Sequence, residues 1–100
     1  MNSPGVIVDS ARLAELCRRY HVRELALFGS AAKGGMREDS DIDILVEFSK
    51  DAEIGLLEFA GLMLDFSQSF GRKVDLVSKR ALRPLIRDSI LQQTLPLYAA

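Results

Sequence analysis

The chain has 100 residues, 48% of them apolar, with 13 basic and 14 acidic side chains and a net charge of -1. That apolar content excludes a disordered chain, and the charge balance argues against a broad nucleic-acid footprint, which needs a basic face. A single cysteine, Cys17, excludes an internal disulfide and a cysteine-built zinc cluster.

At this length one domain over residues 1–100 is expected, with a real but modest core. A separate substrate-binding domain has no room, so a missing substrate wall is expected from a partner or a second copy, in a homo- or hetero-oligomer. No basic segment followed by an apolar core opens the chain, and no apolar run approaches about 18 residues. A cytoplasmic protein without a membrane span is the expectation.

Residues 1–9 hold Pro4 and Gly5 and then Val6-Ile7-Val8, a poor helix start. Asp9 or Ser10 can cap a helix over 10–20, whose apolar side carries Leu13, Leu16, Cys17 and Tyr20. Cys17 reads as a small buried hydrophobe on that stripe. Val22, Leu25, Leu27 and Phe28 predict a strand that ends at Gly29. Ser30 can then cap a short helix over 30–34, whose free N–H groups would make an anion seat.

After a loop, Asp41 to Phe48 is the clearest strand. Period-two alternation puts Asp41 and Asp43 on one face and Ile42 and Ile44 on the other. A helix is predicted over 52–69, with Ile54, Leu57, Met63 and Phe66 as its stripe. Leu56, Phe59, Ala60 and Leu64 widen that stripe, and it reads as core. Gly55 and Gly61 cost about 1 kcal/mol each relative to alanine and suit close packing on a sheet. Gly71 is a fitting C-cap. A third strand over 73–77 carries Asp75 between Val74 and Leu76. Pro84 starts a last helix over 84–92, with Leu85, Ile86, Ser89 and Ile90 on one face, and a short apolar tail follows. The order implies an α/β unit around a small sheet.

Asp41 and Asp43 side by side repel each other, and a divalent cation relieves the repulsion. Carboxylates with phosphate oxygens are usual Mg²⁺ ligands. If its strand lies beside theirs, Asp75 supplies a third carboxylate, and three aspartates on two adjacent strands could hold two metal ions about 4 Å apart around an in-line displacement. Gly29 and Ser30 would hold the phosphates, with Lys33 one helical turn further adding positive charge. Each feature alone is weak evidence: a DxD pair is common in solvent-facing strands and turns, and Gly-Ser after a strand is weaker evidence still. Their combination, in this order, points to a metal–phosphate site.

The run Gly29-Ser30, ten residues, Asp41-Ile42-Asp43, followed by Asp75 in GRKVDLV, resembles the nucleotidyltransferases of the DNA polymerase β superfamily. It is most similar to the minimal nucleotidyltransferase, or MntA-like, group, over about residues 10–98. The resemblance implies the polymerase β-like α/β fold, a small mixed sheet flanked by helices. It implies metal ligation and catalysis by Asp41, Asp43 and Asp75, two Mg²⁺ ions, and ATP held by Gly29, Ser30 and Lys33. It further implies an antitoxin that moves AMP from ATP to a hydroxyl, a tyrosine's, of a HEPN-type toxin. The chain departs from the family pattern after Gly-Ser, where arginine or tyrosine is common and GSAAKGG stands here. Lys33 keeps charge without the guanidinium fork, which is expected to weaken triphosphate binding.

A second reading is an antitoxin that neutralises its toxin by binding alone. A third, transfer to RNA or to a small molecule such as an aminoglycoside, fits poorly with the neutral charge and the single domain. Among the basic residues of the last third, Lys79 and Arg80 are the better candidates to face phosphates. Glu38 and Glu47 read as surface residues, and Asp39 as a loop residue. His21, after a helix end, reads as structural.

Overall fold

The fold is seen in a computed structural model, which describes residues 2–3, 6–7, 9–29, 32 and 41–100. Two short strands, β1 (Asn2–Ser3) and β2 (Val6–Ile7), pair antiparallel as a ribbon apart from the main sheet. Asp9 then caps α1 (Ser10–Arg19), its Oδ1 accepting from the N–H groups of Ala11 and Arg12 at 3.0 and 3.4 Å. Leu13, Leu16 and Cys17 are buried, as their spacing predicts. Burial pushes the Cys17 thiol up to about 12, against a smaller lowering by Arg18, so it packs as an inert hydrophobe. His21, with φ of +58°, turns the chain out of α1 toward the strand that begins at Val22.

Four strands form the main sheet in the order β5-β4-β3-β6: β3 (Val22–Leu27), β4 (Ile42–Phe48), β5 (Val74–Ser78) and β6 (Leu95–Ala99). β3 runs antiparallel to β4 and β6, whereas β4 and β5 are parallel. The sheet is therefore mixed, as expected. Parallel neighbours need a long crossover, which here contains α2 (Leu56–Phe70). Leu25, Leu27, Ile42, Ile44, Val46, Val74 and Leu76 point to one side and form the core with α1 and α2. Alternation sends Asp43 and Asp75 to the other side.

Several expectations need correction. α2 starts four residues later than predicted, after Gly55 as N-cap. Its buried side chains are Leu62 and Phe66, and the predicted stripe omits Leu62. Leu57 and Leu56, assigned to that stripe, are 87% and 86% exposed, and Leu64 is exposed too. An apolar first turn reads as core to periodicity, but this turn precedes the stretch that reaches α1. Gly61 does not face the sheet: a Cβ there would lie 3.2 Å from the Tyr20 hydroxyl, at the end of α1. That hydroxyl donates to Asp65 Oδ2 at 2.8 Å and ties α1 to α2. Gly71 is the C-cap as predicted, with φ of +68°.

α3 (Pro84–Leu91) has its proline in the first turn and buries no residue fully. Leu85, on the predicted apolar face with Ile86, Ser89 and Ile90, is 96% exposed. The apolar tail is a strand, β6, which sequence reading left unassigned. Pro96 breaks the strand pattern in the sequence, yet an edge strand tolerates it. No helix among the described residues is long and apolar enough to cross a membrane.

Candidate active site

The parallel pairing of β4 with β5 builds the site. Its register sets Asp43 opposite Asp75, with Ile42 opposite Val74 and Ile44 opposite Leu76. The flanking apolar pairs are buried, so the two aspartates share the opposite face. One step earlier, the Ile42 N–H donates to the Lys73 carbonyl at 2.9 Å. Asp41 and Lys73 therefore stand side by side at the entry to the ladder, and Lys73 Nζ lies 3.8 Å from Asp41 Oδ2. Ser67 holds the start of β5: its hydroxyl accepts from the Val74 N–H at 3.0 Å and donates to the Met63 carbonyl at 2.9 Å.

Gly29 closes the arrangement from β3. The Phe28 N–H donates to the Asp43 carbonyl at 3.0 Å, which brings the end of β3 against Asp43. Gly29 has φ of +63°, and a Cβ on it would fall 2.6 Å from Asp43 Oδ2. Only glycine leaves room for that carboxylate. Burial, then the charges of Asp75 and Asp41, raise the Asp43 carboxyl above its ordinary range.

The sequence-predicted residues thus divide. Gly29, Asp41, Asp43 and Asp75 come together. Ser30 and Lys33, with the short helix over 30–34 apart from Ala32, lie outside the described residues, as do Ala31, Glu38 and Asp39. Asp75 is exposed. Lys79 does not face the aspartates. It pairs with Glu47 at 3.6 Å, four positions along β4 from Asp43, or about 13 Å at the usual strand rise. Among the described residues, Lys73 is a cation that the structure brings to Asp41. Its signal was visible in principle, two residues before Asp75 on the same strand face, but required the β4–β5 register.

All the carboxylates supply hard oxygen donors, which suit Mg²⁺. As placed, no three acidic, histidine or cysteine side chains among the described residues converge on one point. A cation completed by phosphate oxygens fits such a set better than a closed protein cage. The like charges of Asp75 and Asp41 that help to raise the Asp43 carboxyl are what a bound cation would offset. On the same face, Leu45, Glu47, Ala26, Glu24, Leu91 and Thr94 help to line a hollow of about 450 Å³. None of Gly29, Asp41, Asp43 and Asp75 lines that hollow, which lies further along the sheet toward Glu47 and Lys79.

Comparison with known proteins bears on the family and the fold. The nucleotidyltransferase domain family matches residues 11–97. Protein adenylyltransferase MntA of Thermococcus cleftensis is 39% identical over 84 residues, covering 84% of this chain and 83% of MntA. A solved structure of a candidate minimal nucleotidyltransferase is 39% identical, with a TM-score of 0.75 over 88% of each chain. A chain in the complex of a tri-AMPylated Shewanella oneidensis HEPN toxin with an MNT antitoxin shares the fold, with a TM-score of 0.64. It is 20% identical, and the match covers 91% of this chain and 70% of that one. The chain belongs to the nucleotidyltransferase family and, with MntA, to its minimal, adenylyltransferase branch.

Proposed function

We propose that residues 1–100 form one minimal nucleotidyltransferase domain that moves AMP from ATP to a hydroxyl of a HEPN-type toxin, a tyrosine's, and so acts as its antitoxin. The observation that carries this reading is the register pair Asp43–Asp75 with Asp41 beside it and Gly29 against Asp43. The acceptor is supported by the MntA relative, a protein adenylyltransferase, and by the AMPylated HEPN toxin in the complex of like fold.

Asp41, Asp43 and Asp75 would hold the divalent cations, Asp41 and Asp43 toward the triphosphate and Asp43 with Asp75 toward the acceptor. When bound, the ions neutralise the polyphosphate and lower the pKa of the acceptor hydroxyl. Gly29 lets the phosphates approach the backbone, and Ser30 and Lys33 add donors and charge. Asp75, on the edge strand, orients the acceptor hydroxyl and takes its proton. The acceptor oxygen bonds to the α-phosphorus, the bond from that phosphorus to the bridging oxygen breaks, and pyrophosphate leaves.

Incubation with labelled ATP, Mg²⁺ and a HEPN-type partner tests this. Label is expected on the partner, at tyrosine, and is expected to vanish with Asp41→Ala and Asp43→Ala. Absence of transfer from folded protein at saturating metal overturns the reading. Toxin inhibition that persists without ATP, and in the double variant, assigns neutralisation to binding instead.

A further inference from the structure

Beyond the three aspartates, we infer that Lys73 is a built-in counter-ion for Asp41, displaced by the incoming divalent cation and then free to bind the polyphosphate. The inference rests on the metal–phosphate reading above and adds a positioning residue that the family pattern did not single out.

The argument begins with the ladder. Parallel pairing fixes two rows on one sheet face: Asp41 beside Lys73, then Asp43 beside Asp75. Lys73 cannot leave this row without loss of the Ile42–Lys73 hydrogen bond at 2.9 Å. Its ammonium reaches Asp41 Oδ2 at 3.8 Å while the side chain stays 79% exposed. Three carboxylates in such proximity repel one another, and Lys73 offsets part of that repulsion in the metal-free protein.

An exposed pair of this kind is worth up to about 1 kcal/mol. A divalent cation, carrying twice the charge and able to coordinate oxygen directly, outcompetes it. Once Asp41 turns to an ion, the Lys73 ammonium loses that partner and becomes available to a phosphate held beside Asp41. Lys73 thereby takes the part that sequence reading gave to Lys79 and Arg80. Lys79 is engaged with Glu47, and Arg80 follows it still further along the chain.

Mn²⁺ titration by calorimetry, without nucleotide, tests the first half. Lys73→Gln is expected to bind Mn²⁺ about two- to fivefold more tightly than wild type, the range an exposed pair allows. Lys73→Arg should match wild type. The carboxyl carbon resonance of Asp41 should shift on Lys73→Gln in metal-free protein, a readout that needs no ion. Pyrophosphate titration into Mn²⁺-loaded protein tests the second half, with weaker binding expected for Lys73→Gln and wild-type binding for Lys73→Arg. Unchanged Mn²⁺ affinity, an unmoved Asp41 resonance or unchanged pyrophosphate affinity overturns the inference. If wild type binds Mn²⁺ normally, such a result leaves the functional reading intact. A folded wild type that binds no Mn²⁺ overturns both.

Discussion

Gly29 meets two demands at once. Its backbone is left-handed, which costs an ordinary residue about 1–2 kcal/mol, and the missing Cβ leaves space for Asp43 Oδ2. Gly29→Ala must therefore strain the turn and push the carboxylate aside. Label transfer is expected to fall at least tenfold, with a lower melting temperature but a retained fold by circular dichroism. Asp43 makes a sign-definite prediction of its own. Its raised carboxyl means that the folded protein holds the proton more tightly than the unfolded chain does. That contribution to stability is present below the unfolded pKa and is lost as pH rises through the folded one. At neutral pH the ionised Asp43 is a cost, which Asn removes. Asp43→Asn should melt above wild type at neutral pH, and the gap should close as pH falls into the carboxylate range, near about 4. Melting curves across that interval check it, and activity should be absent throughout. The aspartates and Gly29 were legible because alternation and a strand-ending glycine are local signals. Lys73 was not, because its place depends on which strand lies beside β4 and in which register.

Among the elements, α1 and β4 matched their sequence patterns because each has one unambiguous apolar side or run. α2 did not, since leucines crowd its whole first half and periodicity cannot choose among them. Packing chooses Leu62 and Phe66 and leaves Leu56 and Leu57 in solvent. Leu62→Ala is expected to cost about 2–5 kcal/mol, whereas Leu57→Ala should stay within about 0.5 kcal/mol. Urea denaturation of both variants measures the contrast. β6 escaped sequence reading for a different reason. A proline in a five-residue run argues against a strand unless an edge position is known, and edge positions are set by the whole sheet.

At the scale of the molecule, the sheet separates its two tasks. One side is filled by apolar residues against α1 and α2, and the other presents the carboxylates. β6 covers the edge of β3, and the Ala100 N–H bonds the Arg23 carbonyl at 2.9 Å. Removing residues 95–100 should uncover the β3 edge, lower the melting temperature and promote self-association, which size-exclusion chromatography reads directly. The β4–β5 register carries a last consequence. A slip of one residue would turn Asp75 inward and set Val74 and Leu76 outside. Losing those two from the core forfeits about 3–6 kcal/mol, comparable to the whole stability of a small domain. Misaligned chains thus fail to persist as folded molecules, and the greasy side of the sheet proofreads the acidic one.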